Sequence, residues 1–453
     1  MQSETELPLV TSAVQELSVP AALELAVQLI RNADVQLGVT ICDRVLAAAP
    51  DHPDALHYKG MALYHTDKRD EGMALVARAV EVSPTYTDAW NNLGNMLSQN
   101  DQQPQAEAAY RTVLTLQPEH ADAWANLGSA LKEQDKLDEA EQAVRKALSL
   151  APEHADALHI LGNVLRLQKR PLEALDAYKQ ALLLRPSHPD SYRRLGAAFY
   201  GTDQIQEAAQ VYGKWLALEP TNPYPKHLLA ACTQKDIPDR ASDEFVARSF
   251  DGFASSFDRV LHALKYRAPD LVAQAVKEYL GEGTGALDVA DAGCGTGLCG
   301  PLLLPFAKTL IGVDLSAAMV SRAKQRTHES QPVYTELHIA ELTAFFATRP
   351  AQFDLIVSAD TLCYFGRLEA PLQALAASLR PQGVLVFTLE RADEGSASEG
   401  FLIGAHGRYS QTETYLRTAL KQVGLAAKLI DHAHLRMERG MPVDGLLVLA
   451  RKM

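Results

Sequence analysis

The sequence predicts two domains of different class, an all-α solenoid followed by an α/β domain built on a largely parallel sheet. A proline recurs every 34 residues at Pro50, Pro84, Pro118, Pro152, Pro186 and Pro220, and such a period indicates stacked helical repeats. Farther along, apolar runs of strand length alternate with helical segments, and one of them leads into the glycine-rich stretch Asp291–Gly297. We place the two domains at residues 16–235 and 241–453.

Each 34-residue unit carries a large side chain six residues after its proline and a glycine ten residues after it. The large residues are Leu56, Trp90, Trp124, Leu158 and Tyr192, and the glycines are Gly60, Gly94, Gly128, Gly162 and Gly196. A glycine lets two antiparallel helices cross closely, and the proline ends one unit and starts the next. The pattern resembles the tetratricopeptide (TPR) repeat, with five clear units, a degenerate unit before them and a capping helix after them.

TPR solenoids bind peptides in a concave groove lined by the first helix of each unit, so the resemblance implies a groove here. Asparagine side chains donate and accept at once, and a ladder of them can hold an extended peptide backbone. The predicted groove residues are Asp88, Asn91, Asn92, Asn95, Asn126, Asn163 and Arg166. The alternatives are that these residues are solvated helix surface, or that the repeats form a dimerisation surface.

The glycine-rich stretch lies between a predicted strand at 286–290 and a helix-like run at 298–306. A second strand, 309–313, then ends in Asp314, which is placed to hold the two hydroxyls of a ribose. A dinucleotide fingerprint needs a third glycine where Leu298 stands, and the acid at Asp291 would repel a phosphate. The pattern therefore favours a ligand with an ammonium and a ribose but no phosphate.

These features resemble motif I of the class I S-adenosylmethionine-dependent methyltransferases. Later predicted strands at 333–339, 353–358, 383–390, 425–434 and 445–451 fit the Rossmann-like seven-stranded sheet of that class, which closes with an antiparallel pair. Together with the repeats, the chain resembles bacterial TPR-fused methyltransferases. The resemblance implies S-adenosylmethionine (SAM) as the cofactor and S-adenosylhomocysteine as its product.

The resemblance also assigns a cofactor site. Asp291 would face the SAM ammonium, Asp314 the ribose, and Glu341 the adenine amino group, although backbone near Glu341 can make that contact equally well. The full predicted set is Tyr266, Asp291, Gly293, Cys294, Gly295, Thr296, Gly297, Asp314, Leu315, Met319, Glu341, Leu342, Ala359 and Asp360. An aromatic segment before motif I, containing Phe253 and Phe257, either covers the pocket or only packs on the sheet.

The candidate catalytic residues are Asp360, Tyr364, His406 and Tyr409. Methyl transfer needs a general base only when the nucleophile arrives protonated. Asp360 follows the fourth strand, where it either accepts a proton or holds the methionine part of SAM. His406 and Tyr409 follow a glycine- and serine-rich segment, 391–407, that we expect to form a mobile loop above the site. No motif typical of amino-group or arginine methylation is present, so the acceptor atom stays open.

Composition and charge argue against several other classes of protein. The acidic excess lies in residues 1–240, which hold 32 Asp and Glu against 22 Lys and Arg, and this argues against a nucleic-acid footprint. No apolar run approaches the roughly 20 residues that span a bilayer, and the polar first 18 residues do not resemble a signal peptide. Five scattered cysteines without a CxxC pair predict reduced thiols in the cytoplasm and no metal site.

The sequence thus predicts a cytoplasmic methyltransferase whose repeats recruit a protein or peptide acceptor, with a homodimer possible. One alternative is a methyltransferase of a small metabolite or natural product whose repeats serve oligomerisation or partner docking. Another is a non-catalytic scaffold that binds SAM.

Overall fold

The structure is a computed structural model that describes residues 17–453. The chain forms two compact units, one ending at Ser191 and the other running from Tyr192 to Met453. Of the predicted polar start, residues 1–18, the first 16 lie outside the described residues. The predicted domain boundaries, at residues 16–235 and 241–453, stay a prediction.

The N-terminal half of the chain consists of antiparallel helix pairs, as the 34-residue period predicts. The helices are α1 Val19–Arg31, α2 Val35–Ala48, α3 Pro53–Tyr64, α4 Arg69–Val82, α5 Thr87–Gln99, α6 Gln103–Leu116, α7 Ala121–Glu133, α8 Leu137–Leu150, α9 Ala155–Leu167, α10 Pro171–Leu184, α11 Pro189–Gly201, α12 Ile205–Leu218 and α13 Pro223–Thr233. The repeat glycines allow close crossing: a Cβ at Gly162 would lie 2.5 Å from the Tyr178 ring. The predicted all-α solenoid is confirmed.

The C-terminal half contains a sheet with helices on its faces. Its helices are α14 Asp243–Asp251, α15 Phe257–Ala263, α16 Ala268–Leu280, α17 Gly300–Leu303, α18 Ala317–Gln325, α19 Leu342–Ala347, α20 Glu369–Ser378 and α21 Glu413–Gln422. Its strands are β1 Leu287–Ala292, β2 Ala307–Asp314, β3 Thr327–His328, β4 Gln331–Pro332, β5 Glu336–Ile339, β6 Phe353–Ser358, β7 Leu379–Arg391, β8 Phe401–Ile403, β9 Tyr409–Gln411, β10 Leu425–Glu438 and β11 Met441–Lys452.

The strand order across the sheet is β10-β11-β7-β6-β1-β2-β5. The pairs from β7 to β5 are parallel, whereas β11 runs antiparallel to both β7 and β10. This is the predicted seven-stranded Rossmann-like sheet with its closing antiparallel pair, to which the short strands β8 and β9 are added beside β7. Buried apolar residues such as Leu355, Ile356 and Val357 on β6 are typical of a sheet covered on both faces.

Two segments differ from their predicted structure. The helix expected at 298–306 is reduced to α17, because turns closed by Gly297 N–H to Cys294 O (2.8 Å) and Gly300 N–H to Gly297 O (3.2 Å) occupy its first residues. The segment 391–407, expected as a loop, contains strand β8, which pairs with β9. Within residues 17–453, no helix is long and apolar enough to cross a bilayer.

Candidate functional site

A cavity of about 380 Å³ lies at the carboxyl ends of β1, β2 and β6. The carboxyl edge is where ligands bind in open α/β sheets. Its floor includes the backbone of Gly293 and Gly295, and three rings from the α14–α15 segment, Phe250, Phe253 and Phe257, contribute to its wall. Phe257 contacts Phe253 edge-on, with ring centroids 5.4 Å apart. Of the two alternatives that the sequence left open for this aromatic segment, its rings line the cavity and do not only pack on the sheet.

The glycine turn after β1 is held against β2. Both Gly293 N–H and Cys294 N–H donate to Val313 O, at 2.8 and 3.0 Å. Gly293, with φ +81°, and Gly295, with φ +54°, adopt the left-handed conformation that side chains disfavour. The turn therefore presents bare backbone to the cavity.

Replacing each of these glycines by alanine is expected to have a different effect. A Cβ at Gly293 would lie 2.0 Å from Thr361 Oγ1, whereas at Gly295 the nearest atom, Phe257 Cε1, is 3.8 Å away. We expect Gly293→Ala to cost about 2–5 kcal/mol of unfolding free energy from clash and strain together. Gly295→Ala is expected to cost only about 1–2 kcal/mol but to place a methyl group in the cavity.

Urea unfolding and SAM calorimetry on both variants test this pair. The Gly295 variant should stay folded with weakened SAM binding, while the Gly293 variant should lose stability first. Equal losses of stability in the two variants would contradict the assigned packing of the turn.

Asp314 ends β2 on the cavity wall. Its Oδ2 accepts from Gly295 N–H and its Oδ1 from Ser316 N–H, both at 2.9 Å. Burial raises the pKa of Asp314, and the backbone hydrogen bonds oppose that rise. Each oxygen retains a further lone pair, so the carboxylate is fixed in place and can still accept two hydroxyl groups.

Asp291 lies one layer deeper, on β1, and is 1% exposed. Tyr334 OH donates to its Oδ2 at 2.6 Å, whereas its Oδ1 has no hydrogen-bond partner among residues 17–453. Burial raises the pKa of Asp291 to about 7, an effect that Asp314 reinforces and the Tyr334 hydrogen bond opposes. The carboxyl group therefore lies behind the cavity wall, where burial favours its protonated form.

Asp360 follows β6 on the opposite side of the cavity, with the unusual φ of +56° for a residue that is not glycine. Its Oδ2 accepts from Arg436 Nη1 at 2.6 Å, and its buried Oδ1 has no hydrogen-bond partner in the described chain. Burial raises the pKa of Asp360 while Arg436 lowers it. Asp360 therefore lines the cavity with one of its oxygens left unsatisfied among the described residues.

Behind Asp360 lies a buried charge network that sequence reasoning missed. Arg436 also pairs with Glu390, and Arg408 donates through Nε to Glu390 Oε1 at 2.6 Å and through Nη2 to Glu438 Oε2. Although burial raises it, the pKa of Glu390 falls to about 2 because Arg408, His406 and Arg436 surround it. The carboxylates of Asp360, Glu390 and Glu438 thus face two guanidinium groups, those of Arg408 and Arg436. Arg408, Arg436 and Glu438 line the cavity.

The structure brings together many of the predicted cofactor residues. Those on the cavity wall are Tyr266, Gly293, Gly295, Asp314, Leu315, Glu341, Leu342, Ala359 and Asp360. Those set back from it, among the residues that the structure describes, are Asp291, Cys294, Thr296, Gly297 and Met319. Met319 is 1% exposed and belongs to the core.

The four candidate catalytic residues divide in the same way. Asp360 and Tyr364 line the cavity, whereas His406 and Tyr409 lie outside the described wall. His406 Nδ1 accepts from Arg408 N–H at 3.1 Å, and burial together with Arg408 lowers the pKa of His406 to about 4. Tyr409 is fully buried and donates to Pro238 O at 2.7 Å. Neither residue lines the cavity.

The predicted groove residues lie on helices of the N-terminal unit. Asn126 Nδ2 donates to Asn91 Oδ1 at 3.3 Å and to Asn95 Oδ1 at 3.2 Å, so these three side chains are joined by hydrogen bonds. Asn92 bonds His57, with 2.9 Å between Nδ2 and Nε2. Asn163 is buried, with Tyr178 OH donating to its Oδ1 at 3.0 Å. Asp88 and Arg166 are exposed.

Comparison with known families follows the same division of the chain. Residues 290–387 match the family model described as "Methyltransferase domain", and residues 75–108, 92–155, 128–182 and 165–232 match models described as "Tetratricopeptide repeat". The chain joins tetratricopeptide repeats to a methyltransferase domain. That domain is of the SAM-dependent class, which makes SAM its cofactor.

Curated relatives of the methyltransferase domain are similar over part of their length. Malonyl-[acyl-carrier protein] O-methyltransferase of Priestia megaterium is 29% identical over 147 residues, covering 32% of this chain and 51% of that protein. The same-named enzyme of Acetivibrio thermocellus is 34% identical, covering 22% and 35%. Putative methyltransferase YqeM of Bacillus subtilis is 29% identical, covering 30% and 54%. The chain spans about half the length, or less, of these relatives.

Solved structures similar to the repeats are more distant. The crystal structure of MamA shows 24% identity with a TM-score of 0.33, covering 38% of this chain and 95% of that one. That of the type IV pilus biogenesis factor PilW shows 17% identity with a TM-score of 0.44, covering 47% and 98%. At these identities and TM-scores, the similarity indicates nothing about function.

The residues at the cavity of the methyltransferase domain fit SAM. Glu341 Oε1, like Asp360 Oδ1, is buried without a hydrogen-bond partner among residues 17–453, although Arg240 Nη1 approaches it to 3.6 Å. SAM offers donors at its ammonium, ribose and adenine amino group and has no phosphate. Buried unsatisfied acceptors favour a ligand of that kind. Asp314 and the glycine turn would hold its ribose.

Proposed function

We propose that this protein transfers a methyl group from SAM to a protein or peptide acceptor that its tetratricopeptide repeats recruit. The observation that carries the transferase part is Asp314, a carboxylate locked by two backbone N–H groups at the carboxyl edge beside a glycine turn. The asparagine ladder of Asn91, Asn95 and Asn126 supports recruitment of a peptide. Five free thiols support a cytoplasmic compartment, and a homodimer stays a prediction.

The chain's own contribution is to position and desolvate the reactants. When bound, SAM supplies an electrophilic methyl group on a sulfonium. The aromatic side chains Phe250, Phe253 and Phe257 give the cavity an apolar wall, which would exclude water once SAM is bound. Tyr266 and Tyr364 keep their protons because burial raises the pKa of both phenols well above the ordinary value, so they can donate hydrogen bonds but do not serve as bases.

Asp360 is the residue on this wall that we propose to accept a proton from a protonated nucleophile. Its Oδ1 is unsatisfied among the described residues, and its other oxygen is held by Arg436. An acceptor that arrives already deprotonated would instead find in Asp360 a hydrogen-bonding and orienting group.

A second candidate is an acceptor that is a small molecule or a small group attached to a protein, favoured by the names of two relatives. Relatives named malonyl-[acyl-carrier protein] O-methyltransferase act, by name, on a small group attached to a carrier protein. An acceptor of that type would need a protein-binding surface, which we propose that the tetratricopeptide repeats supply.

A labelling experiment separates these functions. Full-length protein, methyl-labelled SAM and a cell extract are incubated, and the label is followed by mass spectrometry into protein, peptide or small-molecule fractions. Label in protein or peptide that is lost in an Asn91→Ala/Asn126→Ala variant supports recruitment. Label in a small molecule, or in a small group attached to a carrier protein, supports the second candidate, whereas recruitment requires the label on the protein's or peptide's own residues. Binding of SAM without any transfer would indicate a scaffold.

A further inference from the structure

We propose that His227 of α13, the last helix of the repeat region, is a positioning residue for the cavity wall and acts through Gly407 on Arg408. This inference rests on the proposed function, because it takes the cavity to be the SAM site. All of the residues involved belong to the compact unit that begins at Tyr192. The last helices of the repeat region therefore form part of the catalytic unit.

The first step is the contact between α13 and the turn before β9. His227 is 4% exposed, and its Nε2 lies 2.8 Å from Gly407 O. Because a carbonyl only accepts, Nε2 must carry the proton, and burial lowers the pKa of His227, so that the ring is neutral. Its ring also packs on Phe245, with centroids 4.2 Å apart.

The second step is the rigidity of that turn. Gly407 N–H donates to Gly404 O at 2.7 Å, and Gly404 N–H donates to Arg408 O at 2.8 Å. Gly407 has φ +88°, and a Cβ there would lie 3.2–3.3 Å from Leu228, His227 and Phe245. Fixing Gly407 against α13 therefore fixes the backbone of Arg408, the next residue.

The third step leads to the cavity. Arg408 lines it and pairs with Glu390 and with Glu438, which lines it as well. The residue after Glu438 is also held by the repeat helices, since Arg439 Nη2 donates to Asp203 Oδ1 at 2.8 Å and to Gly201 O at 3.2 Å. Both members of the Arg408–Glu438 pair thus depend on contacts with the last repeat.

Without Arg408 in place, Asp360, Glu390 and Glu438 would face Arg436 alone. The wall would carry more uncompensated negative charge in a buried setting, where such charge is costly. Rearrangement of the wall would then alter the cavity that receives the cofactor. The position of His227 is therefore expected to influence ligand affinity as well as stability.

The test measures binding of S-adenosylhomocysteine by calorimetry on full-length variants. His227→Phe keeps the ring packing but removes the donor, and we expect about a tenfold loss of affinity. His227→Gln restores an N–H near the Nε2 position and should bind within about twofold of the natural protein. In an Arg408→Gln background, His227→Phe should change affinity less than twofold, because His227 acts on the cavity through Arg408, which this background already lacks.

The matched control is Gln234→Asn. Gln234 ends the same helix and its Nε2 donates to a backbone carbonyl of the same region, Ile403 O, at 2.9 Å, but it does not hold Gly407. This variant should lose thermal stability and keep its affinity. Equal loss of affinity in His227→Phe and Gln234→Asn, or unchanged affinity in His227→Phe, would overturn the inference even if the Arg408 variant fails to fold. Absence of binding by the natural protein would instead overturn the proposed function.

Discussion

Replacement of Asp314 by alanine is expected to weaken SAM binding by about a hundredfold. The carboxylate accepts from Gly295 and Ser316 N–H groups, and its remaining lone pairs would take two ribose hydroxyls. Two such hydrogen bonds at about 1.5 kcal/mol each amount to a hundredfold change, since 1.4 kcal/mol is tenfold in affinity. Titration calorimetry with SAM on the purified full-length protein measures the effect.

The matched control for this variant is Asp354→Ala. Asp354 caps the opposite end of the sheet, where its Oδ2 accepts from Arg380 Nη1 at 2.6 Å and from Asp288 N–H at 2.9 Å. Its loss should lower stability but leave SAM affinity intact. Full-strength binding by the Asp314 variant would remove the assignment of the cofactor site.

Replacement of Asp291 by asparagine is expected to change how stability depends on pH. Burial raises the pKa of Asp291 to about 7, so between about pH 4 and 7 the folded protein holds a proton that the unfolded chain releases. Stability of the natural protein therefore falls as pH rises through that window. A shift of about three units corresponds to about 4 kcal/mol. Asparagine removes this penalty while keeping an acceptor for Tyr334.

Urea unfolding without SAM, at a series of pH values, measures the effect. The Asp291→Asn variant should match the natural protein near pH 4 and exceed its unfolding free energy by several kcal/mol at pH 8. Asp288→Asn, on the same strand, is the control with the opposite sign, because hydrogen bonds from Thr309 and Arg380 lower the pKa of Asp288. That variant should be the less stable one at neutral pH. A pH-independent difference for Asp291→Asn would contradict the buried titration.

Features that depend on neighbouring residues could be predicted from the sequence. The repeat period places large residues and glycines at fixed positions of each helix pair, and the order of strand, glycine turn and acid places Asp314 at the cavity. Gly295, Leu315 and Glu341 reach the cavity for the same reason, since each lies within three residues of the end of a strand that ends at the same edge. Hydrophobic runs of strand length were sufficient to predict β6, β7, β10 and β11.

Features that depend on distant residues could not be predicted. Arg408, Arg436 and Glu438 come from β10 and the turn before β9, and in the sequence they are ordinary charged residues. Only the pairing of β11 between β7 and β10 brings Arg436 to Glu390. Likewise, nothing local indicates that α13 holds the turn at Gly407, because that contact joins residues 180 positions apart.

By itself, then, the sequence determined a solenoid of 34-residue repeats joined to a SAM-type nucleotide site, because period, glycine spacing and strand-end acids are local properties. The tertiary structure decided which acids meet the cavity. It set Asp291 behind the wall against Tyr334, placed Asp360 on the wall against Arg436, and kept His406 and Tyr409 off the wall. Burial and charge pairing arise from packing between residues that are distant in the sequence. They decide whether each of these side chains faces the cavity and which protonation state it favours.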